Sequence, residues 1–288
     1  MLGQLIVGLT IGSVYGLVAI GFSMIFRSVG ILSFAHQQFV MLGAMIGFTL
    51  MKGLGIPLFA AVIVAAIITG LIGIVAEWIG LSPIRHRGAP NVNQIIATIG
   101  WGIVFANLAM VVWGPYPLAY PHTSLSRSFM LAGVPVSLQN VVILISCLLF
   151  MGALQAFLKF TRIGHAMRAV ADDEATARLM GINPEITIRY AFCISEAMAG
   201  VAGVFIGTLF YASFDLGAFS IRGFPAAVLG GFGHLGGAIV GGLLLGIIET
   251  LGATYVASAY RDVIAFGIVI LILLIRPKGL MGKWRRTI

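Results

Sequence analysis

The chain has 288 residues, 60% of them hydrophobic and only 9% charged, with 17 Lys and Arg against 9 Asp and Glu for a net charge of +8. A water-soluble globule carries about a quarter charged residues. This composition, with a mean hydropathy of +1.08, therefore excludes a chain surrounded by water. The apolar runs are continuous rather than alternating, which argues against a β-barrel and for an all-α polytopic membrane protein.

In chain order, about eight full transmembrane helices are expected near 3–26, 30–51, 58–80, 92–113, 140–160, 186–210, 235–252 and 262–276. One short or re-entrant segment, 223–233, precedes the seventh. The first run lacks a basic leader and an A-x-A site, so no cleavable signal peptide is expected. Gly8, Gly12 and Gly16 recur every fourth position there, as do Gly203 with Gly207 and Gly237 with Gly241 later. Close helix packing in membranes uses this pattern. Cys147 and Cys193 lie in apolar runs and read as small core residues, with neither a disulfide nor a metal site implied.

Charge sets the orientation. Arg27, Arg85, Arg87, Lys159, Arg162, Arg168, Arg178, Arg189, Arg276, Lys278, Lys283, Arg285 and Arg286 fall on one side of the expected spans. Lys52, Arg127, Arg222 and Arg261 fall on the other. The basic side is cytoplasmic by the positive-inside rule, which puts the N-terminus outside and the C-terminus inside. The net positive charge is thus a membrane signal rather than one for nucleic acid. With this topology, 223–233 either crosses as an unusually short helix or turns back. In both cases GGFGHLGG (230–237) is broken helix within the bilayer, tolerated only if buried in protein or lining a wet cavity.

Polar residues inside apolar runs are the usual pointers to a pathway. SFAHQQF (33–39) places His36, Gln37 and Gln38 just after the break at RSVG (27–30). They either line an aqueous route and satisfy exposed backbone or sit at the membrane surface. Glu196 lies about ten residues into its span and must be paired, protonated or facing a cavity. A hydrogen bond at a subunit interface explains it as well as substrate contact does. Glu77 and Glu249 stand near span ends, where they can reach water, and Asp215 follows an outer end. His234 in the glycine-rich break either bonds freed backbone groups or contacts a ligand. No G-x-S-x-G, H-E-x-x-H, paired metal-ligand cysteines or G-x-x-x-x-G-K-[ST] is present, so no catalytic, metal or ATP site is assigned to this chain.

GHAMRAVADDEATARLMGINPE (164–185) stands apart. Residues 159–189 carry 9 of the 26 charges. Its alanines favour helix, Arg168 with Asp172 and Glu174 with Arg178 have i,i+4 spacing, and Gly181 is a natural stop. Asn183-Pro184-Glu185 caps the next span. The expectation is one short cytoplasmic helix at 165–181, clamped between two spans. Its face of Met167, Val170, Ala171, Ala177 and Met180 suits a groove in a soluble partner. A helix lying on anionic lipid is the alternative. Three adjacent acids, Asp172, Asp173 and Glu174, count against lipid.

With these residues in view, the chain resembles the permease subunit of branched-chain amino acid ABC importers, the LivH-type family, over nearly its whole length. The match is sharpest at GILSFAHQQFVMLGA (30–44), TRIGHAMRAVADDEATARLMGIN (161–183), AAVLGGFGHLGGAIVGGLLLGIIE (226–249) and YRDVIAFGIVILILLIRPKGLMG (260–282). The resemblance implies a single transmembrane permease domain over 1–288 with a cytoplasmic coupling loop at 161–185. It implies a multi-pass protein of the bacterial inner membrane that imports a branched-chain amino acid or a related small polar solute such as an amide, urea, another amino acid or an organic acid. The implied partners are a periplasmic substrate-binding protein, two ATP-binding cassette subunits that hold ATP and Mg, and a second permease subunit or second copy. No cofactor is implied in this chain, and it is not itself an enzyme. Met167, Arg168, Asp173, Glu174, Ala175, Ala177, Arg178 and Gly181 correspond to the ATPase-coupling segment. Phe34, His36, Gln37, Gln38, Glu196, Gly233 and His234 fall on the substrate pathway. Three features depart from the family pattern: Glu196 where a small residue is common, G-H-L-G-G at 233–237 in place of G-S-I-P-G, and a shorter connection from Tyr211 to Gly223. An ion-coupled secondary transporter or channel, with Glu196 or His36 as proton site, is the alternative function, and an intramembrane enzyme a third.

Overall fold

A computed structural model of the chain describes residues 2–121, 128–131, 134–255, 261–276 and 279–282. The helices are α1 (Leu2–Val29), α2 (His36–Gly53), α3 (Leu58–Ala76), α4 (Ser82–His86), α5 (Asn91–Trp113), α6 (Leu138–Phe160), α7 (Arg162–Asp172), α8 (Glu174–Leu179), α9 (Pro184–Leu209), α10 (Leu216–Ser220), α11 (Gly223–Gly230), α12 (Leu235–Tyr255) and α13 (Arg261–Ile275). A single π turn, Glu77–Leu81, joins α3 to α4. The one described sheet is an antiparallel pair, β1 (Ser128–Leu131) with β2 (Val134–Ser137), in register from Ser128↔Ser137 to Leu131↔Val134.

Among the described residues, Gly3–Val29, Leu58–His86, Asn91–Trp113, Leu138–Phe160, Pro184–Leu209 and Leu235–Tyr255 are long and apolar enough to cross a bilayer. The chain is therefore a multi-pass helical membrane protein. Six of the eight expected spans meet that criterion. The other two do not. Gly30, at φ +74°, ends α1, and helix resumes only at His36, so α2 has 18 residues and a polar first turn. α13 has 15 residues.

The chain divides into two compact units, each taken by itself. The first comprises Met1–Ser23, His122–Met151 and Arg222–Ile288. Its seam is α1 against α12, and glycine makes it. A Cβ on Gly12 would lie 2.8 Å from the Gly242 carbonyl oxygen, and one on Gly8 3.1 Å from the Ile247 Cα. Gly242 and Gly246 face Gly16 and Gly12 in return. Backbone meets backbone, which maximises dispersion where lipid offers no hydrophobic drive. Glu249, expected near water, is fully buried here: its Oε1 takes the Tyr15 hydroxyl at 3.3 Å and Arg222 Nη1 at 3.2 Å. α11 has eight residues, about 12 Å of rise, and doubles back on the start of α12 with Gly230 against Gly237. Its free carbonyls are met by chain from the C-terminal end: Leu280 N–H donates to Leu229 at 2.9 Å and Met281 N–H to Gly230 at 3.0 Å. The break at 230–237 is thus buried at Gly230, Gly231 and Gly237 and half-buried between them, with the Leu229 and Gly230 carbonyls satisfied.

The second unit comprises Met24–Pro121 and Gly152–Ile221. Its spine is α9, packed along α2 and α3. Gly43 and Gly200 bring α2 and α9 into backbone contact, a Gly43 Cβ falling 2.5 Å from the Gly200 Cα. Gly203 rests against the Val40 carbonyl. At the far end of both helices the Tyr120 hydroxyl donates to the Ala44 carbonyl at 2.6 Å, and Leu118 pairs with Ala212 through two backbone hydrogen bonds. Tyr120 lies on Gly47 and Gly207, which leave room for its ring.

Candidate functional site

The second unit carries most of the polar residues singled out above. Residues 31–35 return from the end of α1 without helical bonding, and Phe34 N–H is held by Thr98 Oγ1 at 3.1 Å. That anchor starts α2 at His36. The His36 level on α2 coincides with the middle of α9, and the two side chains meet: His36 Nδ1 lies 2.8 Å from Glu196 Oε2. His36 is 0% exposed and Glu196 1%. A buried carboxylate and imidazole at this distance satisfy one another, which neither could do alone. His36 is thus enclosed by protein rather than open to solvent. The Glu196 stem lies over Gly73 of α3, where any Cβ would come 2.7 Å from Glu196 Cγ. Glu196 Oε1 has no hydrogen-bond partner. It borders a small cavity lined also by Ser33, Phe39, Glu77, Thr98 and Trp101.

Phe34, Gln37 and Gln38 stand beside this pair. The Gln37 carbonyl accepts the Ser220 hydroxyl at 2.9 Å, and the Gln38 amide is pressed against Gly217 of α10. Both glutamine Oε1 atoms are buried without a hydrogen-bond partner. Five of the seven expected pathway residues are thus gathered in one place, four on α2 and α9 and Phe34 just before α2. Gly233 and His234 belong to the first unit. Gly233 takes φ +80°, which favours glycine. His234 Nδ1 accepts the Gly237 N–H at 3.0 Å, capping the start of α12, so its hydrogen bond is structural. Among the described residues, no group of three His, Cys, Asp or Glu is placed to hold a metal.

The loop 161–185 folds as two helices, where one was expected. Thr161 caps α7 through Gly164 N–H, and Asp173, at φ −156° and ψ 109°, interrupts the helix and caps α8. The Thr176 hydroxyl and backbone N–H, with Ala175 N–H, hold the Asp173 carboxyl below the usual carboxylate range. Glu174 and Arg178 pair at 3.2 Å as the spacing predicts. Arg168 instead donates to the Lys159 carbonyl at 3.4 Å, and Asp172 faces Arg27 at 3.8 Å. The apolar face expected to meet a partner is largely used internally. Met167, Val170 and Ala177 are buried, the last two against Ile25, Leu81, Ile188 and Phe192. What remains free is the tip: Leu179 is 87% exposed and Met180 79%. Gly181, at φ +82°, turns the chain there. Beside it Arg178, Ile182, Asn183, Pro184 and Glu185 line a groove of about 330 Å³.

Two features of this unit escaped the sequence. Leu179 adjoins Met180 but lies off the face drawn from helical periodicity. Glu77, expected to reach water, is fully buried between Arg85 and Arg189. The eight-residue spacing from Glu77 to Arg85 was the available signal, but it is not a helical i,i+4 pair.

A family model described as "Branched-chain amino acid transport system / permease component" matches residues 4–273. The chain is 37% identical over 298 residues to the high-affinity branched-chain amino acid transport system permease protein BraD of Pseudomonas aeruginosa, covering 98% of this chain and 96% of that one. It is 36% identical over 301 residues to the corresponding permease LivH of Escherichia coli, with the same shares covered. A solved structure, PsaBC from Streptococcus pneumoniae in complex with Fab, shares the fold at a TM-score of 0.52 and 15% identity, covering 94% of this chain and 91% of that one.

Proposed function

Because this chain belongs to the family of branched-chain amino acid transport system permease components, we propose that it is the membrane gate of an ABC importer for a branched-chain amino acid or a related small polar solute. It performs no chemistry of its own. ATP and Mg are bound by two separate ATPase subunits on the cytoplasmic side of the bacterial inner membrane, and a periplasmic binding protein delivers the solute. A second permease subunit, a relative or another copy, completes the complex. The N-terminus is periplasmic and the C-terminus cytoplasmic, as the distribution of Lys and Arg requires.

One observation carries this reading in the geometry. The charged loop 161–185 is keyed into the helical core by Val170 and Ala177 while its tip, Leu179 and Met180, is bare. A rigid element with an exposed apolar tip can take a push from a soluble ATPase and pass it to α9. Arg168, Asp173, Glu174, Ala175, Arg178 and Gly181 shape and present that tip, with Met167 and Ala177 as its anchors. Phe34, His36, Gln37, Gln38 and Glu196 lie on the solute pathway, with Gly233 and His234 supporting the break in the other unit. A helix that starts after a non-helical stretch, as α2 does after residues 31–35, is a recurring means of meeting polar solutes in transporters.

The test is purification of the tagged chain from native membranes in mild detergent, then reconstitution with whatever accompanies it. Two P-loop subunits and ATP-dependent uptake of L-leucine or another amino acid are expected. A second reading, proton-coupled transport through the buried His36–Glu196 pair, predicts the reverse: a chain that purifies alone, and uptake that survives ATP depletion but collapses with an uncoupler.

A further inference from the structure

The end of α3 does not run on as α-helix. Glu77–Leu81 widens into one π turn, a distortion frequent at functional positions. Gly80 within it lies against the Trp101 indole with no room for a side chain. The turn points Glu77 inward, fully buried, between two guanidinium groups. Its Oε1 accepts Arg85 Nη2 at 2.8 Å, and its Oε2 lies 3.3 Å from Arg189 Nε. A buried carboxylate needs such countercharge. The two arginines come from different elements, α4 and the early turns of α9. A second fastening runs in parallel, His86 Nε2 of α4 standing 3.5 Å from Glu185 at the start of α9.

These ties meet the coupling loop at its exit. α9 begins directly after that loop, and Leu81, the last residue of the π turn, packs with Val170 and Ala177 from the loop itself. Towards the middle of the helices, Glu77 borders the same small cavity as Glu196, with Phe192 and Gly73 also lining it. Glu77 therefore stands between the two ends of a mechanical path: its own π turn reaches the loop through Leu81, and its cavity is shared with Glu196.

We propose that Glu77 is a positioning residue for transport. It locks α3, α4 and the start of α9 into one lever, so that movement of the coupling loop reaches the His36–Glu196 pair. This rests on the importer reading above.

The experiment uses the complete complex in proteoliposomes, with L-leucine uptake and ATP hydrolysis measured in the same vesicles. Glu77→Gln keeps the shape and removes the charge. It is expected to retain its ATPase subunits and hydrolyse ATP at a near-normal rate, while leucine moved per ATP falls about tenfold. An unchanged ratio overturns the proposal. So does a lower melting temperature with an unchanged ratio, since a merely stabilising clamp would act in that way. If Glu77→Gln fails to accumulate, Arg189→Gln decides, because Arg85 still pairs the carboxylate: a lowered ratio supports the lever and a normal one overturns it. Wild-type vesicles separate the two levels. Absence of ATP-dependent uptake there, for L-leucine and for related amino acids, amides and urea alike, removes the importer reading and this inference with it. Normal wild-type uptake with normally coupled Glu77→Gln removes the inference alone.

Discussion

The surroundings of His36 and Glu196 and the loop 161–185 lie in the same unit and are built on opposite terms. Around the pair, helices touch through glycine, and the two ionisable groups have almost no exposure. In the loop, most charged side chains are exposed, and Met167, Val170 and Ala177 are among the few that reach inward. The contrast separates two jobs. A region whose polar groups can only satisfy each other is bistable: it is either formed or broken. A region whose charges are solvated loses little when one is changed, so its substitutions report on contact with partners rather than on folding.

The largest expected effect breaks the first region. Glu196→Ala takes the buried carboxylate away from His36 and should lower stability by about 3–5 kcal/mol, read as the unfolding midpoint of the detergent-purified protein. Glu196→Gln keeps an oxygen for Nδ1 and should cost much less. Equal costs for the two would mean that the buried contact is not what holds α2 to α9. Gly43→Val comes next, at about 1–3 kcal/mol or more, since its Cβ has nowhere to go but into Gly200. His234→Ala, in the other unit, should lose one helix cap, about 1 kcal/mol, with a milder effect than either change at the pair.

The loop gives the smallest stability effects and the sharpest functional ones. Arg178→Glu, on a side chain 64% exposed, should shift stability by no more than about 0.5 kcal/mol. Yet it should lower ATPase association and uptake; normal uptake by this variant would remove the loop from the coupling path. Asp173 adds a dependence on pH. Its carboxyl is held below the ordinary range by Thr176 and Ala175, so the cap contributes above the unfolded value and is lost only as pH falls through the lower folded value. Protease cleavage between α7 and α8 should therefore stay slow through mildly acidic pH and rise at strongly acidic pH. In Asp173→Ala it should be fast throughout.

Much of this was legible from residue types. Continuous apolar runs gave the membrane class, GGFGHLGG gave the break before α12, and the i,i+4 spacing of Glu174 and Arg178 gave their pair. The failures share one cause. Helical periodicity drew an apolar face through Met167, Val170, Ala171, Ala177 and Met180 on one continuous helix, but the Asp173 cap rotates α8 relative to α7 and leaves Leu179 with Met180 at the tip. Local spacing cannot register a cap that competes with helix continuation. The Arg168–Asp172 pair failed similarly, because Arg27 from a distant helix end offers Asp172 an alternative.

The sequence by itself determined what the bilayer enforces: helical crossings, small residues at seams, and polar residues confined to a few breaks. Those follow from the cost of unsatisfied backbone in hydrocarbon, which acts on every segment independently. Only the tertiary structure decided which buried groups meet. Glu196 finds His36 across 160 residues of chain, Glu249 finds Tyr15 across 234, and Glu77 is clamped between α4 and α9. Such pairings are set by which faces two helices turn to each other, and a glycine contact between backbones fixes that choice in a way no single helix records.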